Sequence, residues 1–149
     1  MSQGWLMIVT IALFKVGILI LALLVPSLLQ ADNLKPFTSD GCSSFPDGTL
    51  KQKELWLSCC TRHDFAYWKG GTYQQRLEAD RALETCVSEV GEPTIALLML
   101  AGVRVGGTPF LPTKFRWGYG WSYPRFYRAL TQVELNQIED LTNQASGLP

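Results

Sequence analysis

Apolar and polar positions divide the chain into one long apolar run, a polar stretch and then segments of helical periodicity. Residues 5–29 are apolar apart from Lys15 and a few small or weakly polar side chains. Within them "VGILILALLV", residues 16–25, has the length of a signal-peptide apolar region. Lys15 would be its positive flank and Ala31 a candidate cleavage site. The whole run also reaches the roughly 20 residues that a bilayer-spanning helix needs. Residues 1–31 are therefore read as a signal peptide or an N-terminal membrane anchor. Both readings export residues 32–149, into a secreted or periplasmic space or onto the outer face of a membrane.

The exported part reads as mostly α. "SDGC" and "FPDG" mark residues 32–48 as loop. Thr49 stands three residues before Gln52, a capping-box spacing, and the pattern predicts a helix over 50–69 that buries Leu55, Trp56, Cys59, Cys60, His63, Phe65 and Tyr67. Gly70-Gly71 ends it, and Thr72 with Gln75 opens a second helix over 73–90. So short a turn makes the two helices antiparallel neighbours. Pro93 starts a third helix through "TIALLMLAGVRV" to Gly106-Gly107. It is apolar nearly all round, hence buried or membrane-facing, and too short to span. Thr131 with Glu134 caps a last helix over 131–143.

Charge changes this picture in one segment. The formal net charge is zero, which argues against nucleic acid as the main partner. Between Glu92 and Glu134, however, there is no acidic residue and there are five basic ones. Residues 108–128 hold four of those and eight aromatic rings. Trp and Tyr favour the membrane–water interface, and Lys and Arg favour an anionic one. This segment is therefore expected to dock on a phospholipid membrane surface, through Trp117, Trp121, Arg116 and Arg125.

Four cysteines in an exported chain suggest two disulfides. Adjacent Cys59 and Cys60 are poor partners for one another, so two pairings remain. Facing residues of an antiparallel hairpin have position numbers of nearly constant sum, and one register brings Cys59 toward Cys86 and His63, the only histidine, toward Asp80. Cys59, His63 and Tyr67 share one side of the first helix. A carboxylate beside an imidazole fixes its tautomer and leaves the other ring nitrogen free to take a proton. Asp64 points about 100° away and is placed to hold a cation. The alternatives are a packed histidine and a zinc site from Cys59, Cys60 and His63 with Cys42 or Cys86.

The pattern Cys59-Cys60-x-x-His63-Asp64-x-x-Tyr67, together with Asp80 six residues before Cys86, resembles the two active-site helices of secreted phospholipase A2. The resemblance covers residues 40–90. It implies an antiparallel two-helix core linked by disulfides Cys59–Cys86 and Cys42–Cys60, with additional C-terminal helices. It also implies a calcium-dependent hydrolase that cleaves the sn-2 ester of glycerophospholipids. His63 would activate water, Asp80 would orient it, and Tyr67 would support Asp80. Asp64 would bind Ca2+ with backbone groups of Cys42 and Ser43. The loop "DGCSSFPDG" departs from that family, whose loop is rich in glycine, and Ser43 replaces a glycine there. The alternative on the same fold is a non-catalytic lipid- or protein-binding module.

Overall fold

The computed structural model describes residues 32–146, so the N-terminal signal or anchor lies outside the described residues. Four helices follow in order: α1 Leu57–Lys69, α2 Tyr73–Glu89, α3 Pro93–Gly106 and α4 Gln132–Ser146. No strand occurs among the described residues. None of these helices is long and apolar enough to cross a membrane.

The first helix starts seven residues later than its capping pattern predicts. Thr49 and Gln52 do bond to one another, but Thr49 N–H donates to the Gln52 carbonyl and Gln52 N–H to Thr49 Oγ1, which closes a turn. Residues 51–54 are polar and exposed, and Leu50 is 99 % exposed. A first turn with nothing to bury gains little from being helical. Trp56 is the first residue of the stretch to enter the core, and the helix follows it.

Beyond that point the predicted boundaries hold closely. Gly70, with φ 67°, ends α1 in a conformation that a side chain resists. Thr72 Oγ1 accepts from Gln75 N–H, and Gln75 Oε1 accepts from Thr72 N–H, completing the capping box of α2. Disulfides Cys42–Cys60 and Cys59–Cys86 tie the loop and α2 to α1 and leave no free cysteine. The zinc alternative fails for that reason, since its thiolates are consumed. Two disulfides also fit an oxidising compartment.

Helix α1 lies between two cores. On one side Trp56, Cys59 and Cys60 pack with Leu83 and Val87 of α2 and with Ala96 and Met99 of α3. On the other, Trp68 packs with Leu34, Trp121 and Ile138 of α4.

The aromatic segment is what joins α1 to the second core, and this corrects its predicted role. Trp117, Trp121, Arg116 and Arg125 are 2 %, 1 %, 4 % and 4 % exposed, so none of them is presented to a membrane. A helix ends in carbonyls without intrahelical partners, and these must be satisfied if buried. Here the segment supplies the donors. Gly118 N–H donates to the Tyr67 carbonyl, Gly120 N–H to Trp68, Trp121 Nε1 to Lys69 and Trp117 Nε1 to Gly71. Arg116 donates to the Gly118 and Trp121 carbonyls. Arg125 stacks 4.1 Å over the Trp121 ring and donates to Glu134 at 2.8 Å.

Glu134 opens α4 and is itself buried. Burial alone would raise its pKa, but hydrogen bonds from Arg125, the Thr131 amide and Arg128 pull it down to about 2. A carboxyl depressed on folding contributes stability that is complete above its ordinary value near 4.5 and is lost as pH falls through about 2. Glu134→Gln keeps the cap but loses the charge. Its melting temperature should fall below wild type by the largest margin at pH 7, and the gap should close between pH 4.5 and pH 2 in calorimetric scans.

Candidate functional site

The α1–α2 hairpin assembles the predicted triad. Asp80 is 0 % exposed. Its Oδ1 lies 3.1 Å from His63 Nε2 and accepts the Tyr67 hydroxyl at 2.6 Å. The tyrosine ring lies against the imidazole, with centroids 4.2 Å apart. Burial, then the charge of Asp80, pushes the Tyr67 pKa up, so the phenol stays a donor. Nε2 of His63 is thus committed to Asp80, and Nδ1 bonds to nothing among the described residues.

Two arginines that the sequence did not single out complete this network. Arg104 of α3 brings Nε to 2.9 Å from Asp80 Oδ2, with its N–H turned off the oxygen, so the contact is ionic rather than a hydrogen bond. Arg76, buried on α2, donates from Nε to the Tyr67 hydroxyl at 3.0 Å and from Nη2 to the Val103 and Arg104 carbonyls. One signal for Arg104 was available: it is the only charge on α3. Gly107 lies so close to Tyr67 that a Cβ there would collide with the phenol ring.

Asp64 sits one residue on, 9 % exposed, with Oδ2 accepting the Ser39 hydroxyl at 2.6 Å. Among the described residues it has no basic partner. Burial raises its pKa to about 6, against the opposing Ser39 hydrogen bond and His63. Ser39 was another residue that no spacing announced.

The loop beside Asp64 is closed on itself. Cys42 N–H donates to Asp47 Oδ1 at 2.8 Å, so Asp47 is a turn residue. Phe45 N–H donates to the Cys42 carbonyl at 2.8 Å, while the Ser43 hydroxyl binds Asp40. Ser44, not Ser43, takes the left-handed conformation, with φ 64°. The carbonyls of Gly41, Ser43 and Ser44 and the amides of Ser43 and Ser44 make no hydrogen bond among the described residues. An all-oxygen set of one buried carboxylate and free carbonyls suits a hard cation such as calcium. No cluster of three or more acidic, His or Cys side chains accompanies it among the described residues, so backbone carbonyls and water would supply most ligands.

These groups open on one pocket of about 410 Å³. Its walls carry His63, Asp64 and Tyr67 beside residues 41–45, and then an apolar flank from α3 and Phe115. Gly102 and Gly106 keep that flank open, since a Cβ at Gly102 would meet nothing within 4 Å and one at Gly106 only Phe115 at 3.9 Å. The structure therefore brings His63, Asp80, Tyr67, Asp64, Cys42 and Ser43 together, and it excludes Trp117, Trp121, Arg116 and Arg125. No family model, curated protein or solved structure matches the chain.

Two predictions follow from the buried carboxylates. A carboxyl whose pKa rises on folding costs stability above that raised value, and the cost disappears as pH falls below its ordinary 3.8. In chelator-treated protein Asp64→Asn should therefore melt above wild type at pH 7, and this advantage should fade between pH 6 and pH 4. Arg104→Met should lower the unfolding free energy by about 2–3 kcal/mol in urea, below the range for fully buried pairs because the arginine is partly exposed. The same substitution on an Asp80→Asn background should cost clearly less.

Proposed function

We propose that the chain is a calcium-dependent hydrolase of the phospholipase A2 type, which cleaves the sn-2 acyl ester of glycerophospholipids outside the cytoplasm. One observation carries the reading: an imidazole held by a buried carboxylate lines an apolar pocket, beside a second buried carboxylate that has no basic partner among the described residues.

The chemistry assigned to each residue follows from its contacts. Asp80 holds Nε2–H of His63 and so leaves Nδ1 as the base. Nδ1 takes a proton from water as its oxygen attacks the ester carbonyl carbon. The resulting imidazolium is stabilised by Asp80, and its proton goes to the departing lysophospholipid oxygen as the acyl C–O bond breaks. Tyr67 and Arg104 fix Asp80 from two further directions. Asp64 and the loop carbonyls would hold calcium, which when bound supplies a positive charge for the ester oxygen. Free amides at Ser43 and Ser44 are donors of the kind that stabilise an oxyanion. The apolar flank from α3 accommodates an acyl chain and excludes water from it.

A non-catalytic lipid-binding module is the second reading. It is favoured by the loop, where Asp47 and Phe45 already occupy the Cys42 amide and carbonyl.

The test is fatty-acid release from mixed phospholipid vesicles, with calcium and with chelator. Wild type should release fatty acid only with calcium. His63→Gln and Asp80→Asn should each reduce the rate about 100-fold or more with helical circular dichroism unchanged. Asp64→Asn should release no fatty acid at any calcium concentration. Lipid binding without release at any calcium concentration would sink the enzyme and leave the module.

A further inference from the structure

Ser39 lies in the turn "TSDGC" that leads into the Cys42–Cys60 bridge. A serine in a turn ordinarily bonds nearby backbone, and its Oγ does accept the Gly41 N–H at 3.2 Å. The same hydroxyl also donates to Asp64 Oδ2 at 2.6 Å, 25 positions away in sequence. The chain is held on both sides of this contact. The Tyr119 hydroxyl donates to the Thr38 carbonyl at 2.6 Å, and the disulfide fixes Cys42 to α1.

The acidic side chains of the same loop are already committed. Asp40 Oδ1 accepts the Ser43 hydroxyl, and its Oδ2 pairs with Lys114 at 3.2 Å. Asp47 Oδ1 accepts Cys42 N–H, and the Cys42 carbonyl accepts Phe45 N–H. A hard cation takes about six to eight oxygens. Both oxygens of Asp64 and the free carbonyls of Gly41, Ser43 and Ser44 fall short of that number, even if all faced one ion. Ser39 Oγ narrows the gap. A hydroxyl oxygen has two lone pairs, and the Gly41 amide uses one of them. Oxygens bound to calcium stand about 2.3–2.6 Å from it, so two oxygens 2.6 Å apart can touch the same ion. Ser39 is exposed whereas Asp64 is buried, so the hydroxyl can turn its proton to water and leave no buried donor unpaired.

We propose that Ser39 is a side-chain ligand of the cation received by Asp64. On binding, the hydroxyl proton turns from Asp64 to solvent, and Ser39 Oγ joins Asp64 Oδ2 on the ion. The rigid turn holds the two oxygens together beforehand, so the site needs little rearrangement to close. The inference rests on the reading of Asp64 as a cation ligand, but its test does not require hydrolysis.

The full chain, stripped with chelator, is titrated with calcium in a calorimeter as wild type, Ser39→Ala, Ser39→Thr and Asp64→Asn. Europium(III) is then bound in place of calcium, and its luminescence decay in light and heavy water counts the waters left on the ion. Ser39→Ala should bind calcium about 10–100-fold more weakly than wild type, and its europium should carry a further water. Ser39→Thr keeps the hydroxyl and should match wild type in hydration, with affinity within a few-fold. Asp64→Asn should bind neither ion. Tighter calcium binding by Ser39→Ala would overturn the proposal, because the hydroxyl would then only cap Asp64 and compete with the ion. Weaker binding with no added water would overturn it too, since Ser39 would then shape the loop from outside the ligand shell. Binding lost in Asp64→Asn yet unchanged in Ser39→Ala would keep the cation site and strike Ser39 from it. Wild type that binds neither ion would sink the cation site itself and Ser39 with it. A further water in Ser39→Ala, in protein that never releases fatty acid, would uphold the ligand and sink the enzyme.

Discussion

A fully buried carboxylate holds the three consecutive helices in place. Removing Asp80 from water costs several kcal/mol unless its oxygens are paired with care. The pairing comes from three directions: His63 and Tyr67 from α1, Arg104 from α3, and Arg76 behind the tyrosine on α2 itself. Sliding α1 against α2 by a turn would strand the charge, so the interaction that poises the imidazole also fixes the register. The Cys59–Cys86 bridge enforces the same register covalently. The geometry of the candidate site and the stability of the fold are one constraint here. An Asp80 variant therefore informs on mechanism only where the helix pair is shown to survive it.

That constraint was legible because it has a spacing. Cys59, His63 and Tyr67 recur every four residues, and one antiparallel sum covers both His63 with Asp80 and Cys59 with Cys86. Features that depend on tertiary partners left weaker traces. Thr49 and Gln52 carry a capping-box spacing, yet the residues that follow have no apolar face, and they close a turn instead. Ser39 reaches Asp64 from a loop whose path no periodicity encodes. Arg104 and Arg76 look like solvated charges until the buried carboxylate and phenol that need them are located.

The aromatic segment shows how composition misleads. Indoles next to arginines suit a membrane interface, and they suit the end of a buried helix equally well. Both places need a large apolar body with a polar edge. What decides between them is where carbonyls need donors, and this segment reaches three at the end of α1, those of Tyr67, Trp68 and Lys69, and that of Gly71 just past it. The "apolar all round" pattern of α3 was ambiguous in a similar way. Its resolution is a helix with two apolar roles, one side packed on α2 and the other exposed beside the pocket.

Asp64 then links stability to the proposed chemistry. It lies next to the imidazole in sequence, in a site that disfavours its own charge. Its only described hydrogen bond comes from a neutral hydroxyl, where Asp80 has an arginine. Asp80 also has His63 and Tyr67 as partners, so the two carboxylates differ in the number as well as the charge of their neighbours. A protein optimised only for stability would supply Asp64 with a basic partner or replace it. The loop beside it is instead pinned to α1 by Cys42–Cys60 and held in shape by Asp47, and its Ser43 and Ser44 carbonyls and amides make no hydrogen bond among the described residues. Charge left uncompensated beside preorganised dipoles is what a cation-assisted ester hydrolase requires, because the compensation must arrive with the cation. On the proposed reading, the well-partnered Asp80 and the sparsely partnered Asp64 would be two halves of one arrangement, the first holding the base in place and the second receiving the ion.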